Sequence, residues 1–473
     1  MKLTGKHIIL FTAIISLIIG CNSTSKEKNI LETDENGYAI LTDEQVENLV
    51  NRSYQYVAMY NVNNKFAQKQ GEWNTVLADT SLKDHTMREI ARPNNDTYYT
   101  SVLMDLSQEP IIIEVPVFDS KYVSLMVTGY DHFVNIPMTT RLGDFKKVEK
   151  VLFYTSRSKG YNGEKIKGID RYFEATGDFV SAIFRVMPHA NETERYKKVI
   201  KSMLSVKLIS LSEFQDKENS TVADIQFPLV GKTDADIFEN NLLEVMQFVF
   251  NHTTFDPSYP DDKALLEVYK PLGIVPGNNV EESSLNKIDG KKFREVSLEI
   301  QQKWLSTLSD TEKLKELQPK MFQPKGKTDL ETVIAVSVVG PIGVPMEEAV
   351  YPQVSTTNGE QMTAKHDYVI RMSKDELPPS NAFWSLTLYD LEQGFFIPND
   401  HKKYSVGENA GMKLNEQGGI EIYIAAQKPD GVPAENWLPI ERKDMNLSPQ
   451  IRIYVPNLEK MKTWQSPTAE KIE

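Results

Sequence analysis

The sequence contains a single cysteine, at position 21 of 473 residues. A chain with one thiol forms no intramolecular disulfide and cannot build the multi-cysteine sites that hold structural zinc. The seven histidines are scattered, and no two of them have the helical HxxxH or strand HxH spacing of a metal site. The sequence therefore predicts neither a metal nor another cofactor.

Basic residues are outnumbered, with 53 Lys and Arg against 66 Asp and Glu, which gives a net charge of −13. Nucleic acids require a basic face, and basic runs such as Lys146-Lys147 are too short to supply one, so we expect no nucleic-acid partner. The chain also lacks a G-x-S-x-G motif, a phosphate-binding P-loop and a dinucleotide fingerprint. A common serine hydrolase, a kinase or a Rossmann enzyme is therefore not expected.

An apolar run near the N-terminus follows two lysines. Lys2 and Lys6 precede Ile8–Ile19, a run of about a dozen residues that is shorter than a membrane span and matches the central region of a signal peptide. We therefore predict that residues 1–20 are a signal peptide. A weak N-terminal anchor helix is the alternative.

The position of the cysteine fits lipidation. Gly20 and Cys21 complete a match to the bacterial lipobox, in which the thiol takes a diacylglycerol, and added acyl chains such as palmitate give stable anchoring. Residues 21–36 would form a tether to the membrane. Asn22, rather than an aspartate, follows the cysteine, which favours the outer membrane of the cell envelope. The alternative is an ordinary signal peptide in which the cysteine is a coincidence.

The pattern over residues 37–190 predicts an N-terminal β domain with a leading helix. Thr42 and Gln45 form a capping box that starts the helix, and Gly177-Asp178 is typical of a tight hairpin turn. Alternating apolar segments predict the strands, which are Thr97–Leu106, Ile111–Val115, Tyr122–Tyr130, Val151–Tyr154, Tyr172–Thr176 and Phe179–Met187.

Apolar residues at helical spacing predict a helical segment at 191–325, and strand patterns return in a C-terminal β-sandwich domain at 326–465, before a tail at 466–473. The fold class is therefore multidomain α+β, with two mainly antiparallel, sandwich-like or jelly-roll-like β domains flanking a helical segment. The predicted C-terminal strands are Val333–Val339, Tyr368–Met372, Phe383–Tyr389, Ile420–Ala425 and Gln450–Val455.

A stretch dense in hydrogen-bonding groups, Arg92–Ser101, leads into the first strand of this β domain. Asp96 could act as a general base, with Tyr98 or Tyr99 as proton donor or stacking surface, and Arg92 could hold an anion. The alternative is a structural turn in which Asn95 and its neighbours satisfy backbone groups. Both interpretations remain open from the sequence.

Motifs in both β regions resemble a known pair of domains. The first set is Asn95–Tyr99, Asp105-Leu106-Ser107, Glu114-Val115-Pro116, Tyr122 and Arg141; the second is Leu377-Pro378-Pro379, Ala382–Asp390, Tyr404–Gly407, Ile422-Tyr423-Ile424, Asn436–Pro439 and Arg452-Ile453-Tyr454. They resemble domain of unknown function 1254 and its companion, domain of unknown function 1214. The resemblance implies two β domains flanking a helical region and implies no reaction. Arg141 joins the candidate residues through this motif.

Secondary candidates lie in the C-terminal region. Strand alternation puts Asp390 on the same face as Trp384, where it could pair with Arg452 or Arg371, sit at the open end of the strand, or line a pocket. Asn436-Trp437 could stack on and hydrogen-bond a sugar, or close off a core.

The sequence predicts an envelope-anchored lipoprotein that binds a small polar ligand or glycan in a cleft between its β domains. The first alternative is a hydrolase that uses Asp96 with Tyr98 or Tyr99 and a nearby arginine. The second is a structural scaffold in an envelope assembly. The expected partners are the membrane, through the lipid, and the unidentified small molecule, and homo-oligomers are possible.

Overall fold

The computed structural model describes residues 31–88, 92–218, 225–278 and 287–472. The predicted signal peptide and Cys21 lie outside these residues. Of the predicted tether, Leu31 packs on the helical core and Thr33 pairs with Ala39, so its last part belongs to the folded unit. Within the described ranges, no helix combines the length and the apolar character needed to cross a membrane.

The α-helices of the described residues are α1 (Asp43–Gln70), α2 (Thr193–Leu204), α3 (Leu211–Phe214), α4 (Asp234–Asn240), α5 (Leu242–His252), α6 (Pro260–Tyr269), α7 (Gly290–Ser309), α8 (Thr311–Leu317), α9 (Leu330–Val339) and α10 (Leu458–Met461). The predicted capping box is confirmed, because Thr42 accepts a hydrogen bond from the Gln45 amide and Gln45 accepts one from the Thr42 amide. Helix α1 ends at Gly71, whose left-handed backbone suits glycine.

The strands are β1 (Thr75–Asp79), β2 (Tyr98–Asp105), β3 (Ile111–Val115), β4 (Val123–Thr128), β5 (Asn135–Thr139), β6 (Glu149–Tyr154), β7 (Arg171–Glu174), β8 (Phe179–Val186), β9 (Lys207–Ser210), β10 (Ala349–Val350), β11 (Ser355–Thr356), β12 (Asp367–Met372), β13 (Ser380–Asp390), β14 (Ser405–Gly407), β15 (Ile420–Ala425), β16 (Trp437–Pro439), β17 (Leu447–Pro456) and β18 (Thr468–Ile472). They form four sheets, two in each β domain, and most neighbouring strands are antiparallel. The predicted α+β class is therefore confirmed.

The N-terminal β domain packs a five-stranded sheet, ordered β1-β2-β8-β4-β5, against a four-stranded sheet, ordered β7-β6-β3-β9. Their inner faces share one apolar core, which helix α2 covers with Val199 and Met203. Because side chains alternate along a strand, Val102 points into this core while Tyr99 points away from it. Tyr99 lies directly opposite Arg185 of β8 on that outer face.

The C-terminal β domain packs a sheet ordered β10-β17-β13-β14 against a sheet ordered β11-β18-β12-β15-β16. The predicted alternation of β13 is confirmed, since Trp384, Leu386 and Leu388 lie in the core between the sheets. The opposite face of β13 and β17 is directed at the N-terminal domain and is polar and aromatic. It carries Phe383, Ser385, Thr387, Tyr389, Arg452 and Tyr454.

The helical unit draws on more of the chain than the predicted segment. Helix α1 packs against α4 to α7 and α9, so it belongs to the helical core rather than to the N-terminal β domain. The prediction of a strand at Val333–Val339 is wrong, because Asp329 caps a helix there by accepting from the Thr332 amide. The apolar run of this helix is buried in the helical core. The prediction failed because a short apolar run fits a buried helix as well as a strand.

Two further local predictions fail because strands pair with distant partners. Gly177-Asp178 is not a hairpin turn, since β7 and β8 lie in different sheets and the Asp178 amide donates to the His252 carbonyl. The predicted tail at 466–473 contains β18, which pairs with both β11 and β12. Strand β18 therefore joins β11 to the rest of the C-terminal sheet.

Candidate functional site at the junction of the β domains

The outer faces of the two β domains meet in a shared layer. The rings of Phe383 and Tyr454 stack with centroids 4.2 Å apart, and Tyr122 of the N-terminal domain lies 5.1 Å from Tyr454. We call this layer the junction. Its residues are Tyr99, Tyr122, Arg185, Tyr351, Phe383, Ser385, Thr387, Tyr389, Arg452 and Tyr454, with the loop at 92–97.

The loop at 92–97 folds as an Asx turn, as one of the two interpretations of the sequence predicted. Asn94 Oδ1 accepts hydrogen bonds from the Asp96 amide at 2.7 Å and the Thr97 amide at 3.3 Å. Arg92 adopts a left-handed backbone, with φ of 52°, and its amide donates to the Gly394 carbonyl at 2.7 Å. The turn therefore inserts the loop against the C-terminal domain.

Asp96 is only 2% exposed and its carboxylate meets two hydroxyl groups of the other domain. Ser385 donates to Oδ2 at 2.7 Å and Tyr454 donates to the same oxygen at 3.2 Å. Burial raises the pKa of Asp96, while Arg452 and the two hydroxyl groups oppose that rise. Asn409 donates to the Asp96 backbone carbonyl, so the whole residue is held by the C-terminal domain.

Arg452 lies in β17 and is 3% exposed. Its Nη1 donates to Thr387 at 3.0 Å, and its Nη2 donates to the backbone carbonyls of Arg92 and Pro93 at 3.0 and 3.3 Å. Tyr389 also donates to the Pro93 carbonyl, at 2.7 Å. Arg452 Nε is buried without a hydrogen-bond partner among the described residues.

Arg185 places a second buried guanidinium group in the junction, at 5% exposure. Its Nη2 donates to the Ile342 carbonyl at 3.1 Å, and its Cζ lies 5.4 Å from the centroid of the Tyr99 ring. Like Arg452, it has a buried Nε for which the described chain provides no partner. Sequence reasoning missed Arg185, although an arginine in the otherwise apolar strand β8 is a signal that could have found it.

The predicted residues are only partly brought together. Arg92, Asn95, Asp96, Tyr99 and Arg452 meet at the junction, and buried Asn95 Oδ1 also lacks a partner among the described residues. Burial lowers the pKa of Arg92, whose side chain reaches Ser448 at 3.4 Å.

Tyr98 and Arg141 occupy other positions. Tyr98 points into the core of its own domain, where its hydroxyl lies 3.3 Å from that of Tyr196. Arg141 pairs with buried Glu348 at 2.9 Å, at the edge of the junction near Tyr122.

The prediction that Asp390 pairs with Arg452 or Arg371 is wrong. Its carboxylate accepts from the amides of Gln393 and Phe395 in the turn after β13. Arg371 instead pairs with Glu421 and Glu470. Asp390 therefore stabilises a turn at the end of the strand.

Asn436 and Trp437 do not join the junction. Asn436 exchanges two hydrogen bonds of 2.8 Å with the Lys413 backbone, and the Trp437 indole donates to the Ala425 carbonyl at 2.9 Å. Strand β16 lies at the edge of the other sheet of its domain, and Trp384 lies inside the core. These contacts match the interpretation that the pair closes off a core. Across the described part of the chain, no group of three or more His, Cys, Asp or Glu could hold a metal ion.

Comparison with family models places both β domains. Residues 73–206 match the model described as Protein of unknown function (DUF1254), and residues 348–458 match Protein of unknown function (DUF1214). The chain belongs to the family that pairs these two domains. In this DUF1254–DUF1214 protein, the junction lies between the paired domains, with Asp96 and Arg185 from the first and Ser385, Arg452 and Tyr454 from the second.

The fold is shared with a solved structure. The VPA0106 protein from Vibrio parahaemolyticus is 21% identical, with a TM-score of 0.69 over 91% of this chain and 100% of that chain. An uncharacterised protein from Burkholderia cenocepacia is 11% identical, with a TM-score of 0.41 over 91% of this chain and 94% of that chain. No curated protein matches this DUF1254–DUF1214 chain.

Proposed function

We propose that the protein binds a small polar ligand, such as a sugar or a short glycan, at the junction of its two β domains. The observation that carries the proposal is that four polar atoms, on residues in the junction or bonded to its loop, are buried without partners in the described chain. They are Arg185 Nε, Arg452 Nε, Asn95 Oδ1 and Asn409 Oδ1.

Buried polar groups in folded proteins are almost always hydrogen-bonded, and each one left unpaired costs about 1–3 kcal/mol. Donors and acceptors are both present among these atoms, so a ligand with hydroxyl or amide groups could pair with either kind. Aromatic rings lie beside the two guanidinium groups, Tyr99 beside Arg185 and Tyr351 beside Arg452. Ligand sites commonly combine apolar rings with a few convergent polar groups, and they occur preferentially between domains.

In this proposal Asp96 positions other side chains and takes no part in a reaction. Both hydroxyl groups that contact its carboxylate donate to the same oxygen, and the residue is nearly inaccessible. A general base must reach the proton that it removes, which favours binding over the hydrolase alternative. Asp96 would hold Ser385 and Tyr454 in place around the ligand.

The test is a thermal-shift screen of the purified protein with glucose, N-acetylglucosamine and their short oligosaccharides. We expect at least one probe to raise the melting temperature of the wild type and of Ser297→Ala, and to do so less in Ser385→Ala. Ser297 is a matched control because it is equally buried and lies in α7. If no probe stabilises the wild type, or if Ser385→Ala responds fully, this proposal is wrong. Turnover of a bound probe that Asp96→Asn abolishes would instead support the hydrolase.

We also propose that a lipid attached to Cys21, at the lipobox, anchors the protein in the envelope. The proposal depends on the sequence alone, through Gly20-Cys21 after the apolar run. Wild-type protein should fractionate with membranes, whereas Cys21→Ser should not, and globomycin should cause the uncleaved precursor to accumulate. Unlipidated wild-type protein in the soluble fraction would contradict the anchor.

A further inference from the structure

We infer that the ligand of the junction carries an oxyanion, a carboxylate or a phosphate, bound between Arg185 and Arg452. This inference rests on the proposed function and specifies the chemical class of its ligand. It starts from the charges that folding buries in the layer between the two β domains.

The buried charges of the junction do not balance. Arg92, Arg185 and Arg452 contribute three guanidinium groups, whereas Asp96 contributes one carboxylate, which interacts with Arg452. The other nearby carboxylate, Glu348, already pairs with Arg141. Asp96 acts on Arg452 from beyond contact distance, and no carboxylate of the described residues forms a direct ion pair with Arg185 or Arg452.

Burying a charge without a partner is costly, and proteins normally pair such charges or bind a counter-ion to them. An arginine keeps its proton at any pH a protein experiences, so it cannot escape this cost by becoming neutral. Two buried arginines without ion pairs therefore indicate that an anion completes the site.

The unpaired groups of the two arginines are hydrogen-bond donors, so they favour an acceptor just as their positive charge favours an anion. Each guanidinium group has a buried Nε–H that is left unpaired in the described chain. An oxyanion is an acceptor, and its hydrogen bonds to guanidinium groups are among the strongest that proteins make. Half-buried Tyr99 and Tyr351 add phenol hydroxyl groups that can donate to the same anion.

The two arginines border the same aromatic cluster. Arg452 Cζ is 6.0 Å from the centroid of the Tyr351 ring and Arg185 Cζ is 5.4 Å from that of Tyr99, and both rings pack against the cluster that contains Tyr122, Phe383 and Tyr454. Burial raises the pKa of Tyr351, and Arg185 and Arg452 oppose that rise, which is the expected effect of two neighbouring cations.

The experiment measures binding of sodium phosphate and sodium succinate to the purified full-length chain, with sodium chloride at equal ionic strength as the reference. Melting temperature and isothermal titration calorimetry are the readouts. We expect phosphate, succinate or both to stabilise the wild type beyond chloride, and whichever binds identifies the anionic group. Arg185→Gln should weaken that binding by about tenfold or more, as the loss of one charge-assisted hydrogen bond requires.

Arg371→Gln is the control, because Arg371 is an exposed arginine paired with Glu421 and Glu470. It should bind the anion as the wild type does. If Arg185→Gln does not fold, Tyr351→Phe tests the same site by removing one hydroxyl group, and it should weaken anion binding by a few-fold. Equal binding by the wild type and by the junction variants would overturn the inference.

The outcomes separate this inference from the proposed function. If neutral sugars bind in a Ser385-dependent manner and neither oxyanion does, the anion is wrong and the polar-ligand site stands. If neither sugars nor oxyanions bind the wild type, both are wrong.

Discussion

Ser385→Ala and Ser297→Ala form a matched pair that measures what the Asp96 contact contributes. Each serine is 2% exposed, and each hydroxyl donates one hydrogen bond of 2.7 Å, Ser385 to the Asp96 carboxylate and Ser297 to the Arg294 backbone carbonyl. The substitution, the burial and the length of the bond are therefore the same. The pair differs in the charge of the acceptor.

The difference in acceptor sets the expected magnitudes. A hydrogen bond to a charged group contributes about 1.5–3 kcal/mol, whereas a neutral one contributes about 0.5–1.5 kcal/mol. In α7 the loss is further offset because alanine favours the helix by a few tenths of a kcal/mol over serine. We expect Ser385→Ala to lower the free energy of unfolding by about 2 kcal/mol and Ser297→Ala by about 0.5 kcal/mol.

The pH dependence provides an independent check. Ser385 acts to lower the pKa of Asp96, so its removal lets burial raise that pKa further. Above the raised pKa the carboxylate is charged and the full cost of Ser385→Ala is present. As pH falls through that pKa toward the ordinary value of 3.8, Asp96 becomes neutral and the cost should shrink.

Urea unfolding from pH 4 to pH 8, followed by tryptophan fluorescence, measures both quantities. Trp384, on the core side of the same strand, reports on the C-terminal domain. Equal losses in the two variants, or a loss in Ser385→Ala that is constant across this range, would refute a charged contact between Asp96 and Ser385.

Two other predictions concern the protonation of buried His132 and the packing at Gly290. Burial lowers the pKa of His132 from 6.5 to about 4, so the free energy of unfolding of the wild type should fall as pH drops through this range. In urea unfolding, His132→Gln should show a shallower fall. Parallel dependence of the two free energies on pH would contradict this prediction. A Cβ at Gly290 would lie 1.8 Å from the Glu239 carbonyl oxygen, so Gly290→Ala should cost about 1–3 kcal/mol. Gly340→Ala, which meets open space, is the control in the same thermal unfolding assay, and equal melting temperatures would contradict the clash.

Predictions of secondary structure from the sequence were most accurate where the local pattern agrees with the tertiary contacts. The alternation of β13 correctly separated the core side of Trp384 from the polar side of Ser385, because one face of the strand is buried in its own domain. The capping box at Thr42 was likewise a local feature. Its helix was assigned to the wrong unit, since the packing partners of α1 come from residues 234–339.

Contacts between distant segments account for the errors. The run Val333–Val339 has the β-branched residues of a strand, but burial against α1 and α7 makes it a helix. Ser385 was missed as a site residue because a serine in a strand is not unusual locally, whereas Arg185 was missed although an arginine in strand β8 is a local signal. They become candidates because the two β domains meet at the junction, where Arg185 has an unpaired Nε and Ser385 donates to the Asp96 carboxylate.

In the loop at 92–97, the structural turn and the unpaired buried group belong to different residues, so a turn and a binding site do not exclude each other. Asn94 makes the turn, since its side chain accepts from Asp96 and Thr97 and donates to the Tyr454 hydroxyl at 3.1 Å. Asn95 lies next to it, and its buried Oδ1 has no partner in the described chain. If the proposed function holds, the turn and the contact to the ligand would therefore fall to neighbouring residues of the same type.

This arrangement allows one comparison to separate turn from site. Asn94→Ala should lower the free energy of unfolding by about 2–3 kcal/mol, because it removes several buried hydrogen bonds. Asn95→Ala should leave urea unfolding nearly unchanged, because it removes no bond within the protein, and should weaken binding of the sugar or oxyanion probe. If Asn95→Ala changes neither stability nor binding while Asn94→Ala destabilises, the loop is a structural turn alone, and the binding site does not extend to it.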